Sequence, residues 1–280
     1  MRSKTRRIIS AVSTIGFLLC VAALFYPVIS SAWNTHLAAQ VVTGYQQTTQ
    51  SEGQASLDAM FADAKSYNAQ MGVPGLQVVT EKEYETDDTY ENLLNPDNTG
   101  MMGYIEIPCI DVTEAIYHYS TEDVLAEGVG HIHGSSLPVG GKNTRCVLTG
   151  HRGLPTQKFF TDLDKVQEGD RFYIHILGKT LAYKVTDIET VLPTEVDQLK
   201  IENGQDLVTL VTCTPYGVNT HRLLVTGRRI PYSGGTDSKG HVTTETHTKR
   251  IDPAVYAFAA FMMVLLIINV AEKVRQKKRW

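Results

Sequence analysis

The hydrophobic pattern divides the chain into zones of different character. Ile8 to Ala32 is a run of 25 residues without a charge, rich in Ile, Leu, Val, Ala and Phe. A helix crossing a bilayer needs about 20 apolar residues, and a signal-peptide core has only about 7–15. A retained membrane anchor is therefore expected over 8–32. Ala254 to Ala271 is a second uncharged run, of 18 residues, and predicts a second span. Between them, Thr35 to about Met71 has broken helical spacing through Leu37, Val41, Tyr45, Leu57, Phe61, Ala64 and Tyr67. It predicts a stalk of one or two helices rising from the membrane. Residues 72–99 carry Gly72, Pro74, Gly75, Pro96 and an acidic cluster from Glu81 to Glu91, which reads as a lid-like loop.

From Gly103 the period changes to two. Tyr104–Ile107 alternates, and extended stretches follow at Val112–Tyr119, Arg145–Thr149, Arg171–Leu177, Thr180–Ile188, Asp206–Thr212 and Arg222–Ile230. Ser120-Thr121-Glu122-Asp123 predicts a capped helix start. Thr156–Val166 predicts a short helix with Phe159, Phe160 and Leu163 on one face. Many short strands with Gly and Pro punctuation indicate a mainly β fold, a barrel or sandwich with few helices. Tyr232–His247 reads as a Gly-, Ser- and Thr-rich linker. The resulting domains are a basic tail (1–7), a span (8–32), stalk and lid-like loop (33–99), a β domain (100–232), a linker (233–253), a span (254–271) and a second basic tail (272–280).

Charge sharpens this map. The net charge of −4 conceals four basic residues in 1–7 and five in the last eight positions. Without those tails and Glu272, 17 Lys+Arg face 29 Asp+Glu. Basic flanks favour the cytoplasmic side, so both termini are expected inside and residues 33–253 outside. The acidic middle excludes a nucleic-acid binder, which needs a basic face for phosphates. Four cysteines exclude a disulfide-dense scaffold. Cys20 lies in the first span, and Cys109 and Cys146 are expected as buried free thiols.

Candidate chemistry concentrates in Leu207–Arg229. A strand ends in Thr212-Cys213, then Pro215, Gly217 and Asn219 supply a turn, and a returning strand carries Arg222 nine positions on. A thiolate is a nucleophile stabilised by nearby positive charge. Its partner for proton transfer is expected to be His151, delivered by a strand, with Gly150 and Gly153 leaving room for substrate. His131 and His133 in GHIHG have a metal-pair spacing without an accompanying ligand cluster, so no metal or other cofactor is expected.

These residues resemble the sortase family. Thr209-Leu210-Val211-Thr212-Cys213 matches the TLxTC signature. The string from Thr212 to Val225, Gly150-His151-Arg152-Gly153-Leu154-Pro155, Ser136–Gly141 and Phe160–Asp164 resemble the class C, pilin-polymerising branch. The resemblance covers roughly residues 90–232 and implies an eight-stranded sortase-type β-barrel. It also implies a cysteine transpeptidase that cleaves LPxTG-like signals of exported proteins between Thr and Gly. Cys213 would form the acyl-enzyme, His151 would act as acid and then base, and Arg222 would stabilise the oxyanion. Thr212 and Leu210 would bind substrate. The implied acceptor is a lysine amine of a pilin subunit, with attachment to peptidoglycan or simple hydrolysis as the alternatives. One departure stands out. The Asp-Pro-aromatic lid motif of many class C members has no counterpart in 72–99, where Asp87-Asp88-Thr89-Tyr90 is a loose substitute. A lid without the usual anchor is therefore expected.

Overall fold

A computed structural model describes residues 2–70, 87–154, 157–195 and 197–232. The predicted second span, the linker and most of the lid-like loop lie outside the described residues.

Eight strands close into one barrel: β1 (Met101–Ile107), β2 (Val112–His118), β3 (Val129–His131), β4 (Thr144–Thr149), β5 (Arg171–Ile176), β6 (Lys179–Val191), β7 (Asp206–Thr214) and β8 (His221–Ile230). Their order around the barrel is β1-β2-β3-β4-β7-β8-β6-β5. Most neighbours are antiparallel, but β2 with β3 and β4 with β7 are parallel. A parallel pair needs a crossover. The first is short and contains α4 (Glu122–Glu127), whose N-cap Thr121 accepts a hydrogen bond from the Val124 amide at 3.4 Å. The second carries the β5–β6 hairpin, whose connection Leu177-Gly178 has φ of 48° and 74°, as two-residue hairpin turns require. The sequence pattern did not reveal β3, because three residues are too few to show a period.

Barrel closure turns the alternating apolar positions inward. Ile105, Ile107, Ile116, Phe172, Ile174, Tyr183, Val208, Leu210 and Val225 form a buried core with Phe160 and Leu163. Phe159, Phe160 and Leu163 are buried as expected, but not on an α-helix. A turn followed by a 3-10 helix over Leu163–Lys165 holds them, with Phe159 at φ 36°. Burial of the rings overrides the local helical spacing.

The N-terminal helices are continuous with this body. α1 runs from Arg2 to Ser51 and α2 from Gln54 to Gln70. The first part of α1 exposes Val12, Ile15, Leu18, Leu19, Leu24 and Ile29, and is long and apolar enough to cross a membrane. Its later part, the start of the expected helical stalk, packs on the barrel. Val42 and Tyr45 pack with Met101 and Ala115. The Tyr45 hydroxyl donates to the Met102 carbonyl at 2.7 Å and accepts from the Leu177 amide at 2.9 Å. α2 buries Leu57, Phe61 and Ala64. Its buried Asn68 exchanges two hydrogen bonds with the Leu137 backbone, at 3.1 and 2.8 Å.

Candidate active site

The β7–β8 ladder places Cys213 directly opposite Arg222. Residues opposed in an antiparallel pair share a face, so thiol and guanidinium project from the same side of the sheet. Cys213 is a free thiol, partly exposed near the end of β7. Arg222 is steadied by its own turn: Nη1 donates to the carbonyls of Asn219 at 3.3 Å and His221 at 3.1 Å. No carboxylate pairs with it among the described residues, so its remaining N–H groups are available to a developing negative charge.

His151 arrives from the other flank. β4 runs parallel to β7 with Thr149 paired to Val211. The next residue continues the ladder, since the Gly150 amide donates to the Val211 carbonyl at 3.2 Å. Two residues beyond this pair on each strand stand His151 and Cys213. The three predicted catalytic residues therefore lie at the same end of the neighbouring strands β4, β7 and β8. His151 is 27% exposed, and its Nε2 lies 3.5 Å from Oε2 of Glu122 in the first turn of α4.

The two residues expected to bind substrate both turn their side chains into the barrel. Leu210 is fully buried in the barrel core. Thr212 is buried as well, and its hydroxyl donates to the Gly150 carbonyl at 2.7 Å, tying β7 to the His151 segment. Both sit on the barrel wall side of a strand whose next residue, Cys213, faces outward. The glycines around His151 also serve packing more than access. A Cβ on Gly150 would lie 2.9 Å from the Phe160 ring, and one on Gly153, at φ 85°, would lie 3.0 Å from Tyr216.

Sequence reasoning missed Arg152. Its side chain is 6% exposed, and it donates to the Thr214 hydroxyl at 2.9 Å and to the Asp164 carboxylate. It thus joins the residue after His151 to the residue after Cys213. A buried arginine fork suits such a bridge, but a basic residue beside a histidine carries no signal of burial in sequence.

The remaining thiols differ from one another. Cys146 is buried and free, and burial holds its thiol well above the ordinary range. Cys109 is free but exposed, contrary to expectation, with partial burial and Asp170 pushing its pKa up to about 11. Protonated thiols are poor nucleophiles, so neither is a candidate nucleophile.

The GHIHG histidines are structural. His131 is fully buried, with Nε2 donating to the Ser136 carbonyl at 2.9 Å and Nδ1 accepting from the Tyr90 hydroxyl at 2.7 Å. His133 lies 3.4 Å from the Asp87 carboxylate. The Asp87–Tyr90 segment is thereby fixed on the barrel: Asp87 caps α3 (Asp88–Asn92), and Tyr90 inserts into the core. No group of metal-ligating side chains occurs among the described residues.

A family model, Sortase domain, matches residues 105–230. Sortase A of Staphylococcus aureus is 32% identical over 128 residues, 44% of this chain and 60% of that protein. The chain thus spans about three-fifths of the length of this curated relative. Among solved structures, sortase C1 of Streptococcus agalactiae is 43% identical with a TM-score of 0.64, covering 69% of this chain and 99% of that one. Sortase C of Streptococcus pneumoniae is 40% identical with a TM-score of 0.62, covering 69% and 97%. Sortase C-1 of Actinomyces oris is 45% identical with a TM-score of 0.58, covering 63% and 99%.

Proposed function

The chain belongs to the sortase family, and on that premise we propose that it is a membrane-anchored cysteine transpeptidase of the class C, pilin-joining kind. The observation that carries this reading is the opposition of Cys213 and Arg222 across β7–β8, with His151 level with the thiol on the β4 side. Cys213 attacks the carbonyl between Thr and Gly of an LPxTG-like signal. Arg222 donates to the oxyanion of the tetrahedral intermediate. His151 protonates the departing amine, leaving a thioester on Cys213, and later accepts a proton from the incoming amine. Thr212 ties β7 to the His151 segment, and Arg152 bridges from that segment to Thr214.

The acceptor in this reading is a lysine amine of a pilin subunit. The 40–45% identities to solved sortase C structures support it, and the S. pneumoniae enzyme is described in terms of pilin substrate specificity. The apolar part of α1 supplies the anchor. The second apolar run, with its basic flanks, completes a two-span arrangement with both termini cytoplasmic and the barrel outside.

The test is intact-mass analysis of the full-length protein incubated with an LPxTG-like peptide. A covalent acyl adduct is expected on the wild type, lost in Cys213→Ala and released by an amine. An adduct that survives Cys213→Ala, or its absence from the wild type, refutes the reading.

A further inference from the structure

We propose that Glu122 is the specificity residue for the acceptor, its carboxylate receiving the ammonium group of the incoming lysine beside His151. The inference rests on the transpeptidase reading above and concerns its second half-reaction. Arg222 stands opposite Cys213 on β8, and His151 lies on the β4 flank of the thiol-bearing strand. An amine attacking the thioester must approach from where a base can take its proton, which is the side of His151. On that side the imidazole meets α4, and its Nε2 lies 3.5 Å from Oε2 of Glu122.

Several features suit this carboxylate to a transient cation. Its side chain is 73% exposed, so an approaching ammonium reaches it without displacing protein. The contact with His151 is longer than a tight charge-assisted hydrogen bond, which leaves lone pairs free for a second donor. No lysine or arginine pairs with Glu122 among the described residues. The residue is also held in place, because Thr121 caps the helix that it begins. A free lysine is an ammonium ion at neutral pH, so it needs a counter-charge to dock and a base to become nucleophilic.

The docked ammonium sheds one proton to water, and the neutral nitrogen forms the new C–N bond. The C–S bond breaks with its electron pair leaving on the Cys213 thiolate. The second proton of the amine passes to neutral His151, and the product is a secondary amide.

The experiment uses the full-length protein in detergent, an LPxTG-like peptide as acyl donor, and two competing nucleophiles. Nα-acetyl-lysine methylamide carries the charge, and hydroxylamine is uncharged at neutral pH. In Glu122→Gln the ratio of kcat/KM for the lysine amide over hydroxylamine is expected to fall about fivefold, the upper range for an exposed ion pair. Added salt should lower that ratio in the wild type and leave it nearly flat in Glu122→Gln. Glu122→Asp should recover part of the preference. An unchanged ratio overturns the proposal, as does an equal loss with both nucleophiles, which would make Glu122 a group that merely orients His151. Absence of an acyl adduct on the wild type removes the transpeptidase reading itself, whereas an adduct with an unchanged ratio removes only the acceptor role.

Discussion

His131 and His151 each sit at or just beyond the end of a short barrel strand, but their surroundings make them different groups. His131 is enclosed by Tyr90, with ring contacts extending to His118, Tyr119 and His133, and burial lowers its pKa to about 3. It is neutral, with one nitrogen donating to Ser136 and the other accepting from Tyr90. His151 stands partly in solvent beside a carboxylate, next to a thiol-bearing strand end. A histidine with both nitrogens committed inside the protein holds structure together. One left partly exposed at a strand end beside a thiol is placed for proton transfer.

The largest effects should separate the two regions. Tyr90→Ala removes a buried aromatic ring from the core and is expected to cost about 3–5 kcal/mol, seen as a large drop in Tm. His151→Ala should leave Tm nearly unchanged and abolish acyl transfer to amines. A Tm loss of similar size in both variants would erase the distinction.

The pH dependence of stability sharpens it. His131 has an ordinary value of 6.5 and about 3 in the fold, so the unfolded chain binds the extra proton between those values. Stability contributed there rises with pH across that window and is lost as pH falls through it, by at most about 1.4 kcal/mol per pH unit. His118, also lowered by burial, acts in the same direction. Glu114 opposes them. Burial without a partner raises it from 4.5 to about 7, so the folded chain holds the extra proton and stability falls as pH rises between those values. In Glu114→Gln, denaturant titrations should show stability rising more steeply between pH 4.5 and 6.5 than in the wild type. A parallel dependence in the two proteins would contradict this assignment.

A smaller effect probes the bridge at the His151 corner. Thr214→Val keeps the shape but removes the hydroxyl that accepts from Arg152. A lost hydrogen bond of this kind is worth about 1–3 kcal/mol when the donor stays buried. We expect a kcat decrease of severalfold with KM little changed, restored by Thr214→Ser. Unaltered kcat in Thr214→Val would confine Arg152 to a structural role.

Much of this protein was legible in its sequence. Period-two alternation marked all the barrel strands except the short β3, and the Cys213–Arg222 spacing forecast their opposition because hairpin register is local. The apolar run in α1 and the Thr121 cap were likewise local signals. Where sequence reasoning failed, the deciding contacts were distant along the chain. Leu210 and Thr212 shared a motif with Cys213, but barrel closure turned them inward. Gly150 and Gly153 suggested open space, but the Phe160 and Tyr216 rings already fill it. The two stalk helices are present as expected, but only the fold shows that they pack on the barrel, where Tyr45 and Asn68 find backbone partners in Met102, Leu177 and Leu137.

The sequence by itself determined the strand periods, the apolar N-terminal run and the identity of the candidate nucleophile, all of which depend on residues near one another in the chain. Only the tertiary structure decided which histidine is buried, that Glu122 meets His151, and that Arg152 bridges to Thr214. These depend on the parallel β2–β3 and β4–β7 pairings. A parallel pair is joined by a crossover, so its register is set by packing across the whole barrel and leaves no local pattern to read.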